Sequence, residues 1–156
     1  MSAPSSHVSV SDADPATIRT LLQQARTIAV VGLSGDPAKP SWQVARYLQE
    51  QGYRILPVNP RLTEVLGEKA YPDLRSIPEP VDLVDVFRPA ADCPAIAEQA
   101  AAIRAGGLWL QSGIVSPEAA TLARHAGLAV VMDRCTLVEH RRLATSTQPS
   151  GPASPR

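Results

Sequence analysis

Residues that suit phosphate binding come together in one loop, which begins at Gly32 and ends at Ser41. Gly32 and Gly35 let the backbone approach a ligand closely. Ser41 is predicted to cap a helix that starts at residue 42, and the unpaired N–H groups of a helix start carry partial positive charge. Lys39 adds a full charge, and Ser34 adds a second hydroxyl. The loop lacks the residue spacings of the dinucleotide-binding and Walker motifs. Two interpretations therefore stay open: a phosphate site, or a plain strand-to-helix connection with a helix cap.

The predicted second strand ends at Val58, and the turn Asn59-Pro60 follows it. A NAD-binding domain usually carries Asp or Glu here, where it binds the ribose hydroxyls. The absence of such an acid argues against ordinary NAD use. It leaves room for a ribose that carries a phosphate, which Arg61 could contact. The alternative is that Asn-Pro is simply a strong turn former.

Two more segments follow predicted strands at the same edge of the sheet. Arg88 could bind a phosphate through two hydrogen bonds, or it could pair with a neighbouring acid such as Asp85. Gln111 and Gly113 follow the strand that contains Trp109. They could provide a hydrogen-bonding side chain and a flexible backbone for a ligand, or they could simply form an ordinary turn. Both tryptophans are expected to pack in the core.

A polar cluster after the last predicted strand suggests an enzyme. Asp133, Cys135 and His140 contain a nucleophile and an acid–base group within eight residues. The alternatives are a buried and inert Cys135, an exposed His140, and Glu139 paired with Arg142 on a helix. The spacing of the two cysteines in the chain matches no zinc pattern, and no metal site is predicted.

Short apolar runs alternate with helical segments, which predicts βαβ units and a parallel sheet. The predicted strands span residues 28–31, 54–58, 81–87, 108–110 and 128–132, with a short extra strand at 68–71. The predicted helices span residues 15–25, 42–51, 94–105, 117–125 and 136–143, with a helical turn at 73–77. We therefore predict an α/β protein with a Rossmann-like, doubly wound, mainly parallel sheet flanked by helices in three layers.

Composition sets limits on the protein. A chain of 156 residues with 44% hydrophobic residues fits one domain, and only 4% aromatic residues implies an aliphatic, alanine-rich core. A formal net charge of +0 gives no reason to expect nucleic acid or an anionic membrane as partner. Few cysteines and no long apolar run predict a soluble cytoplasmic protein. We predict one domain at 14–144, with disordered tails at 1–13 and 145–156.

Several motifs in this order resemble those of the small CoA-binding domain proteins, over about residues 16–143. More distantly, they resemble the CoA-binding domain of the succinyl-CoA synthetase α subunit. The motifs are Val30-Val31-Gly32-Leu33-Ser34, Lys39-Pro40-Ser41, Tyr53 to Pro60, Leu66-Gly67, Tyr71-Pro72, Val84 to Arg88, Trp109-Leu110-Gln111, Asp133-Arg134-Cys135 and Glu139-His140.

The resemblance implies that coenzyme A lies across the first loop, the Asn59-Pro60 turn and the strand ends near Arg88 and Gln111. It does not extend to the synthetase's phosphorylated histidine, which belongs to a second domain. The contacts that the resemblance implies are Gly32, Ser34, Lys39, Ser41, Val58, Asn59, Pro60, Arg88, Gln111 and Gly113.

The sequence thus predicts a protein that binds coenzyme A, or an acyl-CoA, without catalysis. One alternative is an enzyme that uses NAD(P) or an acyl-CoA, with Asp133, Cys135 or His140 in the chemistry. The other is a regulatory module that senses coenzyme A for a protein partner. No catalytic residue is assigned on the preferred interpretation.

Overall fold

Five parallel strands form the central sheet of the computed structural model, which describes residues 14–147. Their side chains are almost entirely buried, as expected for a sheet covered on both faces. A separate two-stranded antiparallel hairpin lies after the second strand. The central strands are β1 (Thr27–Val31), β2 (Arg54–Val58), β5 (Leu83–Val86), β6 (Gly107–Leu110) and β7 (Ala129–Val131), and the hairpin strands are β3 (Glu64–Val65) and β4 (Glu68–Lys69).

Five α-helices connect or flank the strands. Within residues 14–147, none of them is long and apolar enough to cross a membrane. The helices are α1 (Pro15–Gln24), α2 (Pro40–Glu50), α3 (Cys93–Ala102), α4 (Pro117–His125) and α5 (Thr136–Thr147), and short 3₁₀ turns lie at Leu74–Ser76 and Ala90–Asp92.

The sheet order is β2-β1-β5-β6-β7, with every neighbouring pair parallel. One face of the sheet packs against α3 and α4, and the other packs against α1, α2 and α5. This arrangement confirms the predicted three-layer, Rossmann-like α/β fold.

Small and branched aliphatic side chains form both halves of the core, as the composition predicted. Ala100 and Ala123 are fully buried, which lets α3 and α4 approach each other closely. Trp109 is also fully buried, and its indole N–H donates a hydrogen bond of 2.8 Å to the carbonyl of Arg134. The prediction that this tryptophan packs in the core is therefore confirmed.

The predicted helices and strands are all present, with shifted ends. The prediction that Ser41 caps the second helix is wrong, because Pro40 suits a first helical position and moves the N-cap to Lys39. Helix α5 continues to Thr147, beyond the predicted end of the domain at 144. The two-residue strand β3 was not predicted. The predicted tail at 1–13, and residues 148–156 of the other, lie outside the described residues.

At the amino ends of the parallel strands, the edge of the sheet opposite the predicted ligand contacts, Asp82 joins three chain segments. Its carboxylate accepts hydrogen bonds from the backbone N–H groups of Arg26 and Thr27, at 2.8 and 3.1 Å. Its carbonyl accepts bonds from the N–H groups of Gly106 and Gly107, at 3.0 and 3.1 Å. A Cβ on Gly106 would lie only 2.8 Å from this carbonyl oxygen, so the close approach requires glycine.

We therefore expect Gly106→Ala to lower the free energy of unfolding by about 1–3 kcal/mol, since backbone must move to admit the methyl group. Urea unfolding measures the change. Gly35→Ala is the matched control, because a Cβ there would meet Leu62 at an ordinary 3.5 Å. Equal stability of the two variants would contradict this explanation of Gly106.

Candidate functional site

A groove of about 720 Å³ opens at the carboxyl ends of β1, β2 and β5 and runs along α3. Its lining includes five of the ten residues that the sequence singled out, together with Arg61. The other five, Ser34, Lys39, Ser41, Gln111 and Gly113, lie outside the lining. The five that line the groove are Gly32, Val58, Asn59, Pro60 and Arg88.

The sheet topology explains why the groove lies here. Chain order runs from β1 to β2 in one direction across the sheet, and from β5 through β7 in the other. The connections that leave β1 and β5 therefore diverge to opposite faces of the sheet, which opens a crevice at the carboxyl ends of these two strands.

Gly32 brings the backbone to the groove surface without a side chain. Its φ of +87° lies in the region that favours glycine, and its N–H donates a hydrogen bond of 2.9 Å to the carbonyl of Val58. A Cβ on Gly32 would lie 3.0 Å from Cδ of Arg88. A side chain at this position would therefore strain the backbone and displace the arginine.

Arg88 is held at the groove by Asp92, one turn further along the chain. Its Nε and Nη2 donate to the same carboxylate oxygen of Asp92, at 3.1 and 2.7 Å. The neighbouring acid is therefore Asp92 and not Asp85, the example considered from sequence. Nη1 of Arg88 has no partner among residues 14–147, so it keeps donors for a ligand.

Asn59 connects the first loop to the turn after β2. Its Nδ2 donates to the carbonyl of Leu33 at 3.0 Å, and its Oδ1 accepts from the N–H of Arg61 at 2.8 Å. Both ends of the amide are therefore engaged by backbone, and the side chain fixes the shape of the groove wall.

The two serines of the first loop also serve its shape. Ser41 is buried, and its Oγ accepts the backbone N–H of Ser34 at 3.0 Å. The Oγ of Ser34 accepts the N–H of Asp36 at 2.9 Å. Lys39 is exposed at the N-cap of α2, and its side chain does not cap the helix. A cationic side chain therefore stands at a helix start that no side chain caps.

Gln111 lies below the surface, in a buried hydrogen-bonded trio. Its Nε2 donates to Oδ1 of Asp85 at 2.6 Å and to Oγ1 of Thr136 at 2.9 Å. The Thr136 hydroxyl donates to the other oxygen of Asp85 at 3.0 Å. Gln111 thus ties the ends of β5 and β6 to the start of α5 and does not face the groove.

Burial governs the ionisation of Asp85. Loss of hydration raises the pKa of this carboxyl to about 7, although the hydrogen bonds from Gln111 and Thr136 oppose the shift. No cation contributes to the shift, so the charged form is stabilised only by neutral donors.

The polar cluster after β7 contains side chains that are already engaged. The Oδ1 of Asp133 accepts a hydrogen bond from the backbone N–H of Gly113 at 2.7 Å. Gly113, a predicted ligand contact, therefore uses its N–H in a bond within the protein. The Nδ1 of His140 lies 2.8 Å from the hydroxyl of Tyr47, and burial lowers the pKa of His140. The expectation of an exposed His140 is wrong, because the imidazole is partly buried and packs edge-to-face against Tyr47 and Tyr53. Cys135 is half-buried.

The predicted helix pairing of Glu139 is confirmed: its carboxylate forms an ion pair with Arg142 at 3.2 Å. None of Asp133, Cys135 and His140 lines the groove. Among residues 14–147, no group of three or more His, Cys, Asp or Glu side chains could hold a metal ion.

Sequence reasoning missed the wall that α3 contributes. Asp92, Ile96 and Gln99 line the groove at intervals of three and four residues, which places them on one face of a helix. That spacing was visible in the sequence, but an alanine-rich helix with few polar residues gave no sign of which face meets a ligand.

The amino-acid sequence matches the model of the CoA binding domain over residues 26–141. The chain belongs to the CoA-binding domain family. The sequence is also 42% identical over 125 residues to the uncharacterized protein YneT of Bacillus subtilis, covering 80% of this chain and 93% of that protein.

Two further relatives extend the family in sequence and structure. The α subunit of an ADP-forming acetate–CoA ligase of Pyrococcus furiosus is 46% identical over 65 residues, which cover 41% of this chain and 14% of the subunit. A solved structure from Thermus thermophilus superposes with a TM-score of 0.79 at 48% identity, covering 83% of this chain and 98% of that one.

The raised pKa of Asp85 makes stability depend on pH. Between about pH 4 and pH 7 the unfolded chain releases this proton while the folded protein keeps it, so Asp85 weakens the fold progressively as pH rises. We expect Asp85→Asn to remove this dependence. Its stability relative to wild type should rise by up to about 1.4 kcal/mol per pH unit across that window.

Urea unfolding at pH 4 to 8 measures this difference. Glu118→Gln, at an exposed carboxylate in the first turn of α4, is the control for the loss of a carboxylate elsewhere in the protein. A constant difference for Asp85→Asn would show that Asp85 ionises normally in the folded protein.

Proposed function

We propose that this protein binds coenzyme A, or an acyl-CoA, in the groove without chemically changing it. The observation that carries this proposal is a groove at the β1/β5 crevice that combines a glycine-lined backbone approach with the cationic side chains Arg61 and Arg88. Its volume of about 720 Å³ falls within the range of small-molecule and cofactor sites. Membership of the CoA-binding domain family supports the same ligand.

The first loop is suited to the pyrophosphate. Gly32 brings backbone to the groove without a side chain, and Lys39 places a charge at the start of α2. A helix N-terminus favours anions through its unpaired N–H groups and its dipole. On this proposal, the serines of the loop act through its conformation.

The turn after β2 is suited to a phosphate on the ribose. No carboxylate replaces Asn59 at the strand end, so no acid there repels the phosphate. Arg61 lies in the lining, is exposed, and has no ion-pair partner among the residues that the structure describes. These features favour coenzyme A over NAD, whose adenosine ribose carries two free hydroxyls.

The absence of catalysis is supported by the positions of the reactive side chains. Asp133 and His140 lie outside the groove lining, and each holds one polar atom in a hydrogen bond within the protein. Cys135 is half-buried and lies outside the groove lining. The remaining polar atoms of the lining belong to arginines, carboxylates and amides that suit binding.

Arg88 should be needed for affinity. We expect Arg88→Gln to weaken coenzyme A binding about tenfold to a hundredfold, because a charged hydrogen bond to phosphate is lost. Isothermal titration calorimetry measures the affinity, and coenzyme A at about a hundred times its dissociation constant should stabilise the wild type by roughly 2.7 kcal/mol.

Arg46→Gln is a closely matched control. Like Arg88, Arg46 is about half exposed and paired with an acid four residues on, but it lies outside the groove. Its loss should leave binding unchanged. No heat and no thermal stabilisation of the wild type with millimolar coenzyme A would disprove the proposed function.

Arg61 should distinguish coenzyme A from 3′-dephospho-CoA. We expect the wild type to prefer coenzyme A about tenfold, since one charge-assisted contact to the ribose phosphate is available. In Arg61→Gln the two ligands should bind equally. A preference that survives the substitution would place the ribose phosphate elsewhere in the groove.

A further inference from the structure

The end of the groove away from Arg88 lies around Gln99 on α3. Leu74, whose N–H binds Gln99, and Ile96, one turn before Gln99, form apolar walls there and are 1% and 8% exposed. Two turns of α3 separate Asp92, beside Arg88, from Gln99 at this end, a span of about 10 Å. A ligand with a flat, apolar-faced group at one end and phosphates at the other would match a groove with apolar walls at one end and Arg88 at the other.

Gln99 lines this end of the groove and keeps a free hydrogen-bond donor. Its Oε1 accepts the backbone N–H of Leu74 at 3.2 Å, which fixes which end of the amide is occupied. Its Nε2 has no partner among residues 14–147, although Gln99 lines the groove. The side chain therefore presents an unused donor to a ligand.

Asp73 offers the complementary acceptor beside it. Its Oδ1 accepts the N–H of Ser76 at 2.9 Å, and its Oδ2 has no partner among the described residues. Asp73 precedes Leu74, whose N–H binds Gln99, so the residues that carry the free acceptor and the free donor both belong to this part of the groove lining.

We propose that Gln99 and Asp73 recognise the edge of an adenine base that carries its amino group. The Asp73 carboxylate accepts from the amino N–H, and the Gln99 amide donates to the adjacent ring nitrogen, N1. Leu74 and Ile96 pack against the base. This inference rests on the proposed function, because the adenine is that of coenzyme A, and it assigns the residues that select the base.

Hypoxanthine reverses both groups at this edge. Its carbonyl oxygen replaces the amino group and would face the Asp73 carboxylate, while its N1–H would face the Gln99 donor. Paired hydrogen bonds to a base edge discriminate by roughly 1–3 kcal/mol, or about tenfold and more. Wild-type protein should therefore bind adenosine diphosphate about tenfold more tightly than inosine diphosphate.

Two substitutions exchange one group each and keep the bond within the protein. Gln99→Glu retains an oxygen for the Leu74 N–H and replaces the free donor by an acceptor. Asp73→Asn retains an oxygen for the Ser76 N–H and replaces the free acceptor by a donor. Each should reduce the preference for adenosine diphosphate to about one or reverse it, with thermal stability close to wild type.

Titration calorimetry with both diphosphates and with coenzyme A tests this on the full chain. Glu98→Gln makes the same kind of exchange on the exposed neighbour of Gln99 and should leave the base preference unchanged. If coenzyme A binds but the preference persists in both variants, the base assignment is wrong and the proposed function stands. If wild-type protein binds neither coenzyme A nor adenosine diphosphate, both fall. Should Gln99→Glu fail to fold, Asp73→Asn alone decides.

Discussion

The reversal of strand order at β1 is the constraint on which the groove depends. Because β2 lies on one side of β1 and β5 on the other, the connections after β1 and β5 cannot cover the ends of both strands. The open strand ends expose backbone at Gly32 and bring the turn after β2 opposite the start of α3. The packing of Arg88 on Gly32, which brings the ends of β5 and β1 together, follows from this topology.

The buried trio of Asp85, Gln111 and Thr136 has a different role. It joins two strands and a helix through three hydrogen bonds between buried side chains. Apolar packing alone would tolerate small shifts of α5, whereas a directional network does not. The cost is a buried carboxyl whose pKa lies near neutrality. The trio therefore fixes where α5 begins without belonging to the ligand groove.

The fold could be predicted from sequence because its local signals agree. Asp14 and Ser116 each precede a proline and cap a helix as expected. At Pro40 the same logic misled, because a serine after the proline looked like the cap and instead lies inside the helix. The ends of elements depend on such single residues, while their order depends on the alternation of short apolar runs with helical segments.

The site was predictable only in part, because side-chain direction at a strand end depends on distant partners. Gln111 looked like a ligand contact, yet its partners Asp85 and Thr136 are about 25 residues away on either side. Gln99 gave no signal, since its partner Leu74 is also 25 residues away. Loop residues such as Gly32 and Pro60 were easier, because their backbone geometry is local.

Helices α1 and α5 pack against each other on the layer opposite α3, so the first and last described helices lie away from the groove. Protein segments attached beyond either helix would start on the side of the sheet away from the groove. The domain is thus suited to modular fusion, in which a binding unit is tethered to other units without redesign. The matched stretch that makes up 14% of an ADP-forming ligase subunit is consistent with such reuse.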